Sequence, residues 1–128
     1  MNNPRETLNR IRKQADAATE GPWRHISIFE VGGFVEDSHG RELFDWAQDD
    51  AGTICAPDPD AEFIAAARTT VPALLDALEK VLELHSPRDD AWSADITCNG
   101  CYDSHYDVYE PYPCELVEAI TTALDAIK

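Results

Sequence analysis

The chain has 128 residues, ten of them Lys or Arg and twenty-five Asp or Glu, giving a formal charge of −15 at pH 7. That length suits a single domain, 1–128, able to bury roughly two thirds of its unfolded surface, and that charge opposes direct binding to a phosphate backbone. Met1 to Ala18 is charged and lacks an apolar run, so no secretory leader is expected and the four cysteines are expected to stay reduced in a cytoplasm.

The segment 1–18 reads as a helix. Asn3 is placed as N-cap, Pro4 at the first helical position and Glu6 as the partner of a capping box, with Leu8, Ile11 and Ala15 following at helical spacing. Arg5, Arg10, Arg12 and Lys13 share the other face, either solvated or folded over the acidic remainder of the chain. Residues 1–24 hold five basic and three acidic side chains, which leaves −17 for everything downstream.

Segment 23–56 changes to short extended runs, expected as a small antiparallel β-meander. Its strands are Trp23 to Glu30, Gly33 to Asp37 and Glu42 to Trp46, with a turn at Ser38-His39-Gly40 and a hairpin turn or bulge at Gly32-Gly33. Thr53 to Ala56 is a candidate fourth strand, and Cys55 within it reads as a small buried hydrophobe.

Segment 58–86 is expected to hold two helices. Asp58-Pro59-Asp60 opens the first, whose inner face is Phe63, Ile64 and Ala67; Thr69-Thr70-Val71-Pro72 restarts the chain into a second, from Val71 to about His85, with a stripe of Leu74, Leu75, Leu78, Val81 and Leu82. A last helix starts near Pro113-Cys114 and buries Leu116, Val117, Ile120, Leu124 and Ile127.

Between these helices, 86–113 has few aliphatic residues and no period, yet it carries the chemistry. Cys98-Asn99-Gly100-Cys101 is a C-x2-C hook, Cys114 follows it after twelve intervening residues, and both fit metal-ligand spacing. A disulfide is disfavoured without export. A thioredoxin-like pair would be followed by a helix, whereas Tyr102-Asp103-Ser104-His105-Tyr106-Asp107 lacks helical periodicity. The favoured reading is a structural Cys3His zinc site in a C-terminal lobe, with Cys114 helped toward its thiolate by the positive end of a helix.

Two histidines compete for the fourth place. His85 lies in phase with Leu74, Leu78 and Val81 and so points inward, while His105 makes a local C-x2-C-x3-H chelate. Four such ligands leave no open coordination position for catalysis. No H-x-E with Pro-Cys-x-x-Cys, no H-E-x-x-H, no P-loop and no G-x-G-x-x-G occurs.

Thr19-Glu20-Gly21-Pro22-Trp23-Arg24, a small sheet, Asp60-Ala61-Glu62-Phe63-Ile64-Ala65-Ala66-Ala67-Arg68 and then Val71-Pro72-Ala73-Leu74-Leu75 together resemble Ead-like accessory proteins of phages and prophages, especially those of actinobacteria. The downstream His, C-x2-C and Tyr112-Pro113-Cys114 are similar to their C-terminal pieces; the stretch from Cys101 to Cys114 is longer here. The resemblance covers about residues 19 to 127 and implies a phage-related origin and the host cytoplasm, with no established activity. The expected function is a non-enzymatic accessory protein that binds a host or phage protein through Trp92, Tyr102, Tyr106 and Tyr109, with no contact to nucleic acid or membrane. The alternatives are an acidic mimic of nucleic acid acting on a DNA-binding protein, and an enzyme of unrecognised type.

Overall fold

The first helix, α1 (Pro4–Ala17), begins where its cap residue places it. The Asn3 side chain accepts the Arg5 amide at 3.0 Å and the Asn3 carbonyl accepts that of Glu6 at 3.0 Å, so two otherwise orphaned donors are satisfied. The computed structural model describes residues 3–28, 32–43, 57–89 and 95–127, and its class is α+β: three helices with one two-stranded and one three-stranded antiparallel sheet. By internal contacts the chain divides into two compact units, one of Met1–Ile11 with Leu75–Lys128, the other Arg12–Leu74. None of the described helices is long and apolar enough to cross a membrane.

In the unit Arg12–Leu74, β1 (Arg24–Ile28) pairs antiparallel with β2 (Gly32–Glu36), Ile26 opposite Phe34. The expected third strand is represented by a bridge between Glu36 and Glu42 and the Leu43 amide bonded to the Val35 carbonyl at 3.1 Å; its residues 44–46, with Thr53 to Ala56 and Cys55, lie outside the described residues. Val35, Ala61 and Ala65 form the core, with Trp23, Leu43 and Ile64 against it. The turn after β2 closes on Asp37, which is almost wholly buried. Its carboxylate accepts the amides of His39 (2.8 Å) and Arg41 (3.0 Å) and the Arg41 Nε–H (3.0 Å), while Gly40 takes the positive φ of +79° that the turn requires.

The two helices expected in 58–86 are one. α2 runs unbroken over Asp58–Leu84 with Pro72 inside it. A proline forfeits one amide hydrogen bond and crowds the preceding turn, but the alanines at 65–67 before it and the alanine- and leucine-rich run from Ala73 after it have high helix propensity, and the loss does not end the helix. The phase of its first half also differs from expectation: Ala61 and Ala65 are buried, whereas Phe63 is 74% exposed. Further along, Leu75 and Leu82 are buried and Leu74 is 58% exposed.

The other unit contains what the sequence left without a period. β3 (Pro87–Arg88), β4 (Thr97–Asp103) and β5 (Val108–Pro111) form a sheet in that order, and α3 (Glu115–Asp125) follows. Leu8, Leu75, Leu82, Cys98, Cys114, Val117 and Leu124 make its core, with Ile11, Leu78, Cys101, Tyr112 and Ile120 packed on it. Within α3, Thr121 is buried and donates its hydroxyl to the Val117 carbonyl at 2.8 Å, while Leu116 and Ile127, expected inside, are exposed. Arg5 Nη2 donates to the Leu82 carbonyl at 2.8 Å and Arg10 Nη2 to that of Ile127 at 3.1 Å. Neither α2 nor α3 has a basic residue in its own last turn, so α1 supplies the cations that offset those negative helix ends.

Candidate metal centre

Cys98 and Cys101 both lie on β4, although residues three apart on a regular strand face opposite ways. An irregularity resolves this. Between the pairs Thr97↔Pro111 and Tyr102↔Tyr109, five steps of β4 stand against two of β5, and the extra residues bulge so that Cys98 is buried and Cys101 half-buried on the inner side. Asn99, at the bulge, donates its amide to the Ser86 carbonyl at 2.9 Å, which ties the bulge to the chain leaving α2.

His85 arrives on that same chain, its amide still bonded to the Val81 carbonyl at 3.0 Å as a continuation of the helix. The ring lies against Gly100. A Cβ there would stand 2.5 Å from the Leu84 carbonyl oxygen and 3.0 Å from His85 Nδ1, so no other residue fits without displacing backbone. Gly100 is therefore present for close approach.

His85 Nδ1 is 3.5 Å from Cys98 Sγ, 3.3 Å from Cys101 Sγ and 3.6 Å from Cys114 Sγ, and the four donor atoms lie within 4.8 Å of one another. No disulfide links the three thiols. Nitrogen and sulfur donors of one tetrahedral first-row ion, bonded at about 2.0–2.3 Å, stand about 3.6 Å apart. The group is therefore compatible with a metal ion. His105, the rival for the fourth place, is exposed in the β4–β5 turn, where its amide bonds Asp103 at 2.8 Å and its ring meets the edge of Tyr106; it is not in the group.

The thiols are electrostatically unequal. Burial pushes the Cys101 thiol up to about 12, reinforced by hydrogen bonds with Cys98 and Cys114 and by their charge. Burial also acts to raise Cys114, but the amide of Val117, the two neighbouring thiols and the amide of Leu116 together bring it below its ordinary value. Cys114 is the N-cap residue of α3; its sulfur makes no close capping bond and instead feels those amides as a field. The surroundings thus favour the thiolate at Cys114 and oppose it at Cys101, where a neighbouring cation would offset the cost of ionisation.

Among the aromatic candidates, Tyr102 (51% exposed) and Tyr106 (71% exposed) are open to solvent and Tyr109 is half-buried; Trp92 lies outside the described residues. Tyr102 and Tyr109 are cross-strand partners with ring centroids 5.1 Å apart, and the Arg88 guanidinium stacks 4.2 Å over Tyr109. The Tyr102 hydroxyl donates to Asp107, which raises its pKa.

A second polar cluster, in the other unit, was not singled out from sequence. His25 Nε2 is 2.8 Å from Asp58 Oδ1, and Ser27 Oγ donates to Asp58 Oδ2 at 3.0 Å. The carboxylate, expected as a helix cap, clamps β1 to the start of α2, and the bonds from His25 and then Ser27 hold it below the usual carboxylate range. Ser27 bonds the carboxylate and not the imidazole, so this is no hydrolase triad. Asp37 is the other missed residue; an Asp three before a Gly in a turn was its signal.

No family model, curated protein or solved structure matches the chain.

Proposed function

We propose that this is a zinc-stapled, non-catalytic accessory protein that binds another protein, of the phage-related kind its sequence resembles. The observation that carries the metal assignment is the set of three nearly equal imidazole-to-sulfur distances, 3.3 to 3.6 Å. Three thiolates and one imidazole favour zinc among the common divalent ions, because soft sulfur donors disfavour magnesium and calcium and four-coordination suits a d10 ion. His85, Cys98, Cys101 and Cys114 would fill all four positions, which leaves none for substrate or water. Zinc would then supply a cross-link in place of chemistry, joining the end of α2, the bulge of β4 and the first turn of α3 where aliphatic packing is sparse. Support for binding comes from the outer side of the β4–β5 hairpin, where Tyr102 on β4 and Tyr106 in the turn stand open.

The test is elemental analysis of protein purified without added metal, where about one zinc per chain is expected. Cys114→Ser and His85→Ala should each lose the metal, and His105→Ala should retain it. A metal-free protein whose thermal unfolding is unchanged by chelator, or metal lost with His105→Ala and kept with His85→Ala, would overturn the assignment.

A further inference from the structure

The stretch from Asp89 to Ile127 holds nine acidic residues and no Lys or Arg. Within it, β4 has two sides. Cys98 and Cys101 turn inward, and Tyr102, next along the strand, turns out. Its ring, paired with Tyr109, continues through the stacked Arg88 guanidinium into a cross-strand ladder, Arg88–Tyr109–Tyr102. Tyr106 stands beyond the ladder in the turn, bracketed by Asp103 and Asp107.

Two independent observations bear on what would cover this face. One is charge: apart from Arg88, already engaged on Tyr109, the charged side chains described on this face are the acids Asp103, Asp107 and Glu110, which repel nucleic acid and a second copy of this acidic chain and attract a basic segment. The other is geometric. The Arg88 guanidinium already sits over the Tyr109 ring, 4.2 Å from its centroid, so this ring surface accepts a cation, while among the described residues no guanidinium lies over the exposed Tyr102 and Tyr106. A planar guanidinium both stacks on an aromatic face and pairs with a carboxylate, which an ammonium does less well.

We propose that the outer face of the β4–β5 hairpin, Tyr102 and Tyr106 with Asp103, Asp107 and Glu110, docks an arginine-rich segment of a partner protein. The inference rests on the reading of the chain as a protein-binding module and names the class of partner. An incoming arginine extends the internal ladder, its guanidinium on the Tyr102 or Tyr106 ring and its charge against the adjacent carboxylates.

The test measures fluorescence anisotropy of a labelled peptide of alternating arginine and glycine, and of its lysine counterpart with equal length and charge, at physiological ionic strength. The arginine peptide should bind about tenfold more tightly; Tyr102→Ala and Tyr106→Ala should each weaken it about threefold, and together about tenfold, since stacked cations contribute modestly at exposed sites. Tyr106→Phe should bind as the unaltered chain does. Equal affinity for the two peptides, indifference to both tyrosine substitutions, or no binding to either overturns the proposal. So does a dimer that the Tyr106→Ala change dissociates, which would assign the face to a second copy. Zinc content and circular dichroism on the same samples separate the two readings. A zinc-loaded, folded protein that fails to discriminate sinks the docking face and keeps the staple; a metal-free protein that discriminates does the reverse.

Discussion

Each unit of this protein lays a histidine ring against a strand glycine, and the two do opposite things with it. In one, His85 covers Gly100 and turns Nδ1 to three sulfurs; in the other, His25 covers Gly33 and turns Nε2 to the Asp58 carboxylate. At both positions a methyl group would collide with the ring, at 3.0 Å from His85 Nδ1 and 2.5 Å from His25 Nε2. One device thus delivers an imidazole to a soft, cation-seeking cluster and to a hard, anionic one. The cores beside them are unequal as well: seven buried residues in the first, and a valine with two alanines in the second. A polar cluster supplements thin packing in each case, and the two clusters answer to different solution conditions.

On the proposed zinc staple, the comparison is broken most severely by removing the metal. A chelator strong enough to strip zinc should lower the stability of the unit holding β3–β5 and α3 by about 3 kcal/mol or more. Amide hydrogen exchange should accelerate in β4, β5 and α3 and stay unchanged in β1 and β2; uniform acceleration would refute independent stabilisation.

The glycines give the next contrast. Gly100→Ala meets a backbone carbonyl that cannot swing away, so it should cost about 2–3 kcal/mol and weaken zinc retention in chelator competition. Gly33→Ala meets the ends of the His25 and Asp58 side chains, which can shift, and alanine suits a strand better than glycine. Thermal unfolding should register about 1 kcal/mol or less for it, with zinc content unaltered.

Acid should reach the two units at different pH. Imidazole and thiolate are stronger bases than a carboxylate, so the metal should leave first as pH falls. Asp37 and Asp58 both sit below their ordinary value of 3.8 in the folded chain, Asp37 chiefly through the Arg41 amide and Asp58 through His25. Their contribution is therefore complete above about pH 4 and lost as pH falls through the lowered folded values. Asp37→Asn should flatten that acid limb for β1 and β2, followed by NMR. The smallest effect is expected at Phe63, which is so exposed that Phe63→Ser should change stability by no more than about 0.5 kcal/mol.

Much of this was legible where the signal is local. The Asn3 cap, the start at Asp58 and the cysteine spacing depend on residues a few positions apart, and each expected feature stands at its expected place. The illegible parts depend on distant partners. Nothing near Pro72 shows that the helix continues, because the stabilisation lies in its flanks and its packing. The β4 strand hides its period behind a bulge, and the C-x2-C hook is a bulged piece of strand. Phe63 misled because hydrophobicity ranks it above alanine, while β2 presents a surface that admits only small residues at 61 and 65.

The arginines of α1 bear on the order of events at the ribosome. Arg5 closes on Leu82 and Arg10 on Ile127, partners 77 and 117 positions downstream. The first helix synthesised thus waits for nearly the last residue before both its guanidinium contacts exist, whereas the hairpin of β1 and β2 can zip within a span of about a dozen residues as it emerges.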